Sequence, residues 1–229
     1  MRATGKFPPL LIQVNFEEEI LPVAESVQNR EDSSHQIIEG IYVGNSKSGD
    51  DVFASNPDKI SIVINLFGRK KYEEALLKGN SQVKLMNLSV QDDGNTAEEF
   101  LKICSGKESF DRDDVKTWFK AAFDKIDECL KASGKVLIHC HEGISRSVTL
   151  TTAYLMKREG WSFDEAMKTV RSARDKASPN IGFVLLLKDY EELLKKKFEE
   201  EIKEANSIQY ESFVCGSSYK RHRLDNLPL

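Results

Sequence analysis

Cysteine is scarce in this 229-residue chain, and the four present stand apart: Cys104, Cys129, Cys140 and Cys215 form no CxxC pair. A disulfide scaffold or a thiolate zinc site is therefore not expected. The histidines (His35, His139, His141 and His222) show no metal-ligand spacing either, so no metal site is expected. Charge of one sign is also lacking. Lys and Arg number 33 against 37 Asp and Glu, for a net charge of −4, which gives no general pull toward nucleic acid or acidic lipid. No apolar run approaches the ~20 residues that span a bilayer. The opening "MRATGKFPPLLIQVNFEEEI" has one short apolar run broken by Pro8 and Pro9, so neither a secretory signal nor a membrane partner is expected. The hydrophobic content of 40% and charged content of 31% are ordinary for a globular protein. These features fit a reducing compartment, the cytoplasm with the nucleus as a second location, where one cysteine can persist as a reactive thiol.

Residues 1–35 are polar with little periodicity and read as an N-terminal extension. "IIEGIYVGN" reads as a strand ending at a Gly-Asn turn, Ile60–Gly68 as a buried strand, Val83–Val90 as a third and Val136–His139 as a fourth. Helical spacing joins Trp118, Phe119, Ala122, Phe123, Ile126 and Leu130, and continues over Ser147–Arg158. Ser162 with Glu165 forms a capping box. After Pro179 a long last helix is expected over Ile181–Phe198. Alternating strands and helices predict an α/β fold, one domain over residues 36–203 with a tail over 204–229. The charged, glycine-punctuated segment Asp92–Asp114 reads as a long loop with at most a helical turn.

The stretch "VLIHCHEGISRSV", Val136–Val148, carries the chemistry. A strand that turns sharply into a helix gathers unpaired N–H groups at the helix start, where the dipole is positive, and so forms an anion site. Gly143 lets the loop adopt a conformation other residues resist. Arg146 adds a planar, permanently charged fork for two phosphate oxygens. The field that holds an anion also favours a thiolate at Cys140. A thiolate beneath a cradled phosphate suits in-line attack on phosphorus with a phosphocysteine intermediate. Ser147 follows Arg146, where its hydroxyl can reach the sulfur and help it leave.

"HCHEGISRS" resembles the signature of the cysteine-dependent protein tyrosine phosphatases, and of their dual-specificity branch. "GIYVGN", "LSVQDD", "AYLM" at Ala153–Met156 and "ASPNIGF" at Ala177–Phe183 are similar to that branch too, in order, over roughly residues 36–194. The resemblance implies a single compact phosphatase domain of small, atypical type. Its fold would be a central twisted, mostly parallel sheet flanked by helices, with the phosphate-binding loop between a strand and a helix. It implies no metal and no organic cofactor. Cys140, Arg146 and Ser147 would be catalytic, and the loop residues His141, Glu142, Gly143, Ile144, Ser145 and Arg146 would bind substrate. Departure of a phenolate or alkoxide needs a proton. The pattern "VQD" implies Asp92 as the acid, with Asp93 as the neighbouring alternative. Asp111, Asp113 and Asp114 read as helix caps. Supporting roles fall to Arg174 and Asn180, which would brace the loop or line the pocket, and to His139, which would orient the loop. The segment "TAEEFLKICSGKESF" is longer than the family pattern and reads as an insertion.

The expected activity is hydrolysis of phosphotyrosine and phosphoserine or phosphothreonine in proteins. The alternatives are the same chemistry on a phosphoinositide, an RNA 5′ end or a glucan, and a phosphate-reading module without turnover. Glu142, Ile144 and Ser145 give the loop none of the extra cations suited to highly anionic lipids. In the tail, Lys220, Arg221 and Arg223 precede Leu227 and Leu229. This resembles the docking peptides by which mitogen-activated kinases hold their regulators, a phosphorylated partner of that kind being implied; a merely solubilising basic end is the alternative.

Overall fold

The structure is a computed structural model that describes residues 34–68, 72, 82–92, 97–106 and 119–221, with side chains up to residue 203. The expectations placed on Asp93, Asp111, Asp113, Asp114, Trp118 and most of the N-terminal extension lie outside the described residues.

Five strands form one sheet: β1 (His35–Ile38), β2 (Ile41–Gly44), β3 (Ile62–Asn65), β4 (Lys84–Asn87) and β5 (Val136–His139). Their order is β1-β2-β5-β3-β4, with only the β1–β2 pair antiparallel. The twisted, mostly parallel α/β sheet expected from the sequence is therefore present. β2, β3 and β5 are buried at every position, as sheets covered by helices on both faces require. "IIEGIYV" is two strands rather than one, because Glu39 and Gly40 turn the chain back in a two-residue hairpin.

The helices are α1 (Ser46–Ala54), α2 (Ala97–Ser105), α3 (Lys120–Lys131), α4 (Arg146–Glu159), α5 (Phe163–Ala173) and α6 (Ile181–Arg221). Three of them differ from expectation. α1 is polar and was hidden by composition; Asn45 caps it, its Oδ1 accepting from Ser48 N, with Ser48 returning the bond. α2 forms where a loop was expected, because Phe100, Leu101 and Cys104 make an apolar face that buries completely. α5 carries the expected Ser162–Glu165 capping box. α6 runs on to Arg221, past both Phe198 and the expected tail boundary at 203.

Alternate residues of β5 enter opposite layers. Val136 and Ile138 join the larger core with α3, α4 and α6, whereas Leu137 packs with Tyr42, Val63 and Val52 on the α1 side. Aromatic rings tie the larger core together: Phe119 lies 5.9 Å from Phe100, 5.3 Å from Phe123 and 5.2 Å from Tyr190, centroid to centroid. α4 is buried from Arg146 to Met156, so its first turn is fixed by packing. In register, Gly44 pairs with His139, His139 with Asn65, and Asn65 with Asn87. The carboxyl ends of four strands thus finish level, where ligands bind in sheets of this kind.

Candidate active site

Cys140 follows β5 directly, and the loop from Cys140 to Ser145 leads into α4. Donors from outside take four successive loop carbonyls. Ser46 N donates to His141 O at 2.9 Å and Ser178 N to Ile144 O at 2.9 Å. Arg174 Nε donates to Gly143 O at 2.6 Å and its Nη2 to Glu142 O at 3.2 Å. Across a planar trans peptide the C=O and the next N–H point opposite ways. Carbonyls held outward therefore turn the amides of residues 142–145 inward, and Gly143 N does donate to Cys140 Sγ at 3.3 Å. The result is a concave nest of N–H groups suited to an anion. Gly143 has φ +68°, and a Cβ there would lie 2.5 Å from Gly44 O and 2.5 Å from Arg174 Nη2, so only glycine fits.

At the floor of the nest, Cys140 is 1% exposed, and its Sγ is 3.3 Å from Ser147 Oγ. Arg146 Nη1 is anchored by Leu66 O at 3.3 Å and Val90 O at 2.7 Å. Its Nε lies 3.4 Å from Asp92 Oδ2. Asp92 Oδ1 accepts from Ser145 Oγ at 2.8 Å and from Asn180 Nδ2 at 2.6 Å. Asn180, expected to brace the loop or line the pocket, therefore reaches the carboxylate itself. Arg174 is completely buried, with its guanidinium bonded to the carbonyls of Glu142 and Gly143. His139 is completely buried, with Nδ1 3.2 Å from Cys140 O. His141 and Glu142 stand exposed at the rim and pair with each other at 2.7 Å, and Ile144 is half-buried beside them.

Two residues were not singled out from the sequence. Phe67 places its ring 4.6 Å from the His141 ring, with the Arg146 guanidinium 5.7 Å from its centroid. The only sequence signal was its place just beyond a core strand. His35 Nδ1 lies 2.8 Å from Arg174 Nη1; burial and the charge of Arg174 lower its pKa, so the ring accepts the bond in its neutral form. Cys104 and Cys129 are different thiols, both with pKa pushed up by burial. Among the described residues no cluster of three or more His, Cys, Asp or Glu is arranged to hold a metal ion. A thiol under inward amides, an anchored arginine and a carboxylate facing the same space can bind a phosphate, attack it and supply a proton.

Dual specificity protein phosphatase 1B of Arabidopsis thaliana is 43% identical over 82 residues, which are 36% of this chain and 49% of that protein. A second Arabidopsis relative, dual specificity protein phosphatase 1, is matched over 41% of its length, so the alignments span less than half of these two relatives. Dual specificity protein phosphatase 22 of Homo sapiens is 28% identical over 171 residues, 74% of this chain and 80% of its own. In fold, the crystal structure of DUSP15 superposes with a TM-score of 0.54 at 21% identity, covering 73% of this chain and 96% of that one. A mouse putative dual specificity phosphatase complexed with zinc tungstate gives 0.56 at 21% identity, covering 75% and 94%. Residues 41–193 match the family model of the dual specificity phosphatase catalytic domain, and the chain belongs to that family.

Proposed function

We propose that this protein hydrolyses phosphotyrosine and phosphoserine or phosphothreonine in proteins through a phosphocysteine intermediate. One observation carries this reading: Cys140 Sγ lies 3.3 Å from both Gly143 N and Ser147 Oγ, at the floor of a loop four of whose carbonyls are held outward. In this reading the phosphate seats on the inward amides, and Arg146 binds its equatorial oxygens. Cys140 Sγ attacks phosphorus as the P–O bond to the leaving group breaks. Asp92 passes a proton to the departing oxygen. Asp92 then takes a proton from water, which attacks phosphorus, and the S–P bond breaks with the Ser147 hydroxyl donating to the leaving sulfur. Phosphate is released and each group returns to its starting state.

The test is rapid acid quenching with a radiolabelled aryl phosphate. Label should appear on Cys140, Cys140→Ser should abolish turnover with the fold intact, and a chelator should leave the rate unchanged. Turnover that survives Cys140→Ser would overturn the mechanism. A mitogen-activated kinase is the protein substrate suggested by the tail: Lys220 and Arg221 close α6, and residues 222–229 lie outside the described residues. Truncation after Ser218 should slow dephosphorylation of a doubly phosphorylated kinase while sparing a small aryl phosphate. Equal rates on the kinase would remove that substrate.

A further inference from the structure

We propose that Asn180 is a positioning residue for the acid: it fixes which oxygen of Asp92 carries the proton, and it ties that choice to the start of α6. The inference rests on the reading of Asp92 as the proton donor.

The protons around Asp92 Oδ1 can be traced individually. Ser145 has one hydroxyl hydrogen. Its Oγ accepts from Asn180 N at 3.1 Å and lies 2.8 Å from Asp92 Oδ1, so that hydrogen points at Asp92. The Asn180 amide is oriented by the backbone: Phe183 N donates to Asn180 Oδ1 at 3.0 Å, which leaves Nδ2 as the group facing Asp92 Oδ1 at 2.6 Å. Oδ1 therefore accepts from two donors, and a proton placed on it would displace one of them. The proton must sit on Oδ2, the oxygen 3.4 Å from Arg146 Nε and so beside the phosphate position. Without the Asn180 donor, Oδ1 is free to compete for the proton and the carboxyl is free to turn. Asn180 thus does two jobs with two atoms: Oδ1 caps α6 and Nδ2 holds the acid.

That division makes the inference testable. Asn180→Ser and Asn180→Asp both keep a helix-capping oxygen and both remove the Nδ2 donor. Kcat is measured for phenyl phosphate, whose leaving group needs a proton, and for 2,4-dinitrophenyl phosphate, whose leaving group does not. Either variant should shift the ratio of the two kcat values about 10-fold against phenyl phosphate, the order expected when a reacting group is misplaced rather than lost. Asp92→Ala should shift the same ratio by about 10²-fold or more. Adding Asn180→Ser to Asp92→Ala should give no further shift, because the asparagine acts only through the acid. A thermal melt checks that each variant folds. Equal loss on both substrates, or no loss on either, would overturn the role of Asn180 while Asp92→Ala still registers. If Asp92→Ala itself leaves the ratio unmoved, the acid is another group and the inference falls with it.

Discussion

Asp92 Oδ2 lies 3.4 Å from Arg146 Nε, so the carboxylate and the guanidinium to which we assign one phosphate are paired with each other. A bound dianion must compete with the Asp92 carboxylate for that guanidinium. Calorimetry of sulfate binding to the Cys140→Ser variant should therefore show tighter binding once Asp92→Asn is added, because the amide keeps the shape and removes the competing charge. Equal or weaker sulfate binding in the double variant would show that Asp92 does not compete for Arg146.

Gly143 and Gly160 offer a matched pair. Their φ angles are +68° and +70°, but an added Cβ collides with Gly44 and Arg174 at the first and meets nothing within 4 Å at the second. Gly160→Ala should cost only the left-handed strain, about 1 kcal/mol. Gly143→Ala should cost more than that in urea unfolding and should also abolish turnover, since the loop carbonyls must shift. Equal losses of stability would mean that the loop relaxes freely.

His35 gives a pH dependence with a definite sign. Its pKa is lowered from 6.5 by burial first, then by Arg174 and Lys176, with Asp175 opposing. The folded state thus binds the proton less readily than the unfolded chain. The contribution is fully present above the unfolded value and is lost as pH falls below about 6.5 toward the folded value. Thermal midpoints of the parent should fall between about pH 7.5 and about pH 5.5, and His35→Gln should flatten that slope. An unchanged slope would show that other groups set it.

Oxidation of Cys140 should not be relieved by Cys129. A Cβ at Gly134 would lie 2.7 Å from Cys129 Sγ and 2.8 Å from Ser61 Oγ, which places that thiol by the amino ends of β3 and β5. The four residues of β5 separate it from Cys140, about 13 Å of strand, whereas a disulfide needs Cα atoms within about 7 Å. Mass mapping after peroxide should find no Cys140–Cys129 bond. The Cys104 thiol is disfavoured as a partner on chemical grounds, because burial raises its pKa and keeps it protonated.

The order of strands and helices could be read from the sequence because β3, β5 and α5 announce themselves by apolar runs and a capping box. α1 could not, since its hold is a side-chain cap on a polar segment. α2 hid for the opposite reason: its buried apolar face is three residues, Phe100, Leu101 and Cys104, inside a charged stretch. In the site, Cys140, Gly143, Arg146 and Ser147 fall within eight consecutive residues and so were visible as one pattern. The partners of Asp92 lie 53 and 88 residues away, and Arg174 meets His35 across 139. Contacts at that separation leave no local signal, which is why Phe67 and His35 were missed.

β3 ends at Asn65 although apolar residues continue beyond it. The buried Asn65 side chain accepts from Phe67 N at 2.9 Å and donates through Nδ2 to Asn87 Oδ1 at 2.9 Å. The exit height of the chain is thus set inside the sheet, level with His139, and not by the loop above it. The strand ends therefore hold their level independently of the length of the more distant loop segments. Segments further from that row can lengthen without moving the floor on which Cys140 sits. Loop grafting for new substrates should leave Asn65 and Asn87 in place, together with Leu66, Val90 and Asp92, which hold or face Arg146.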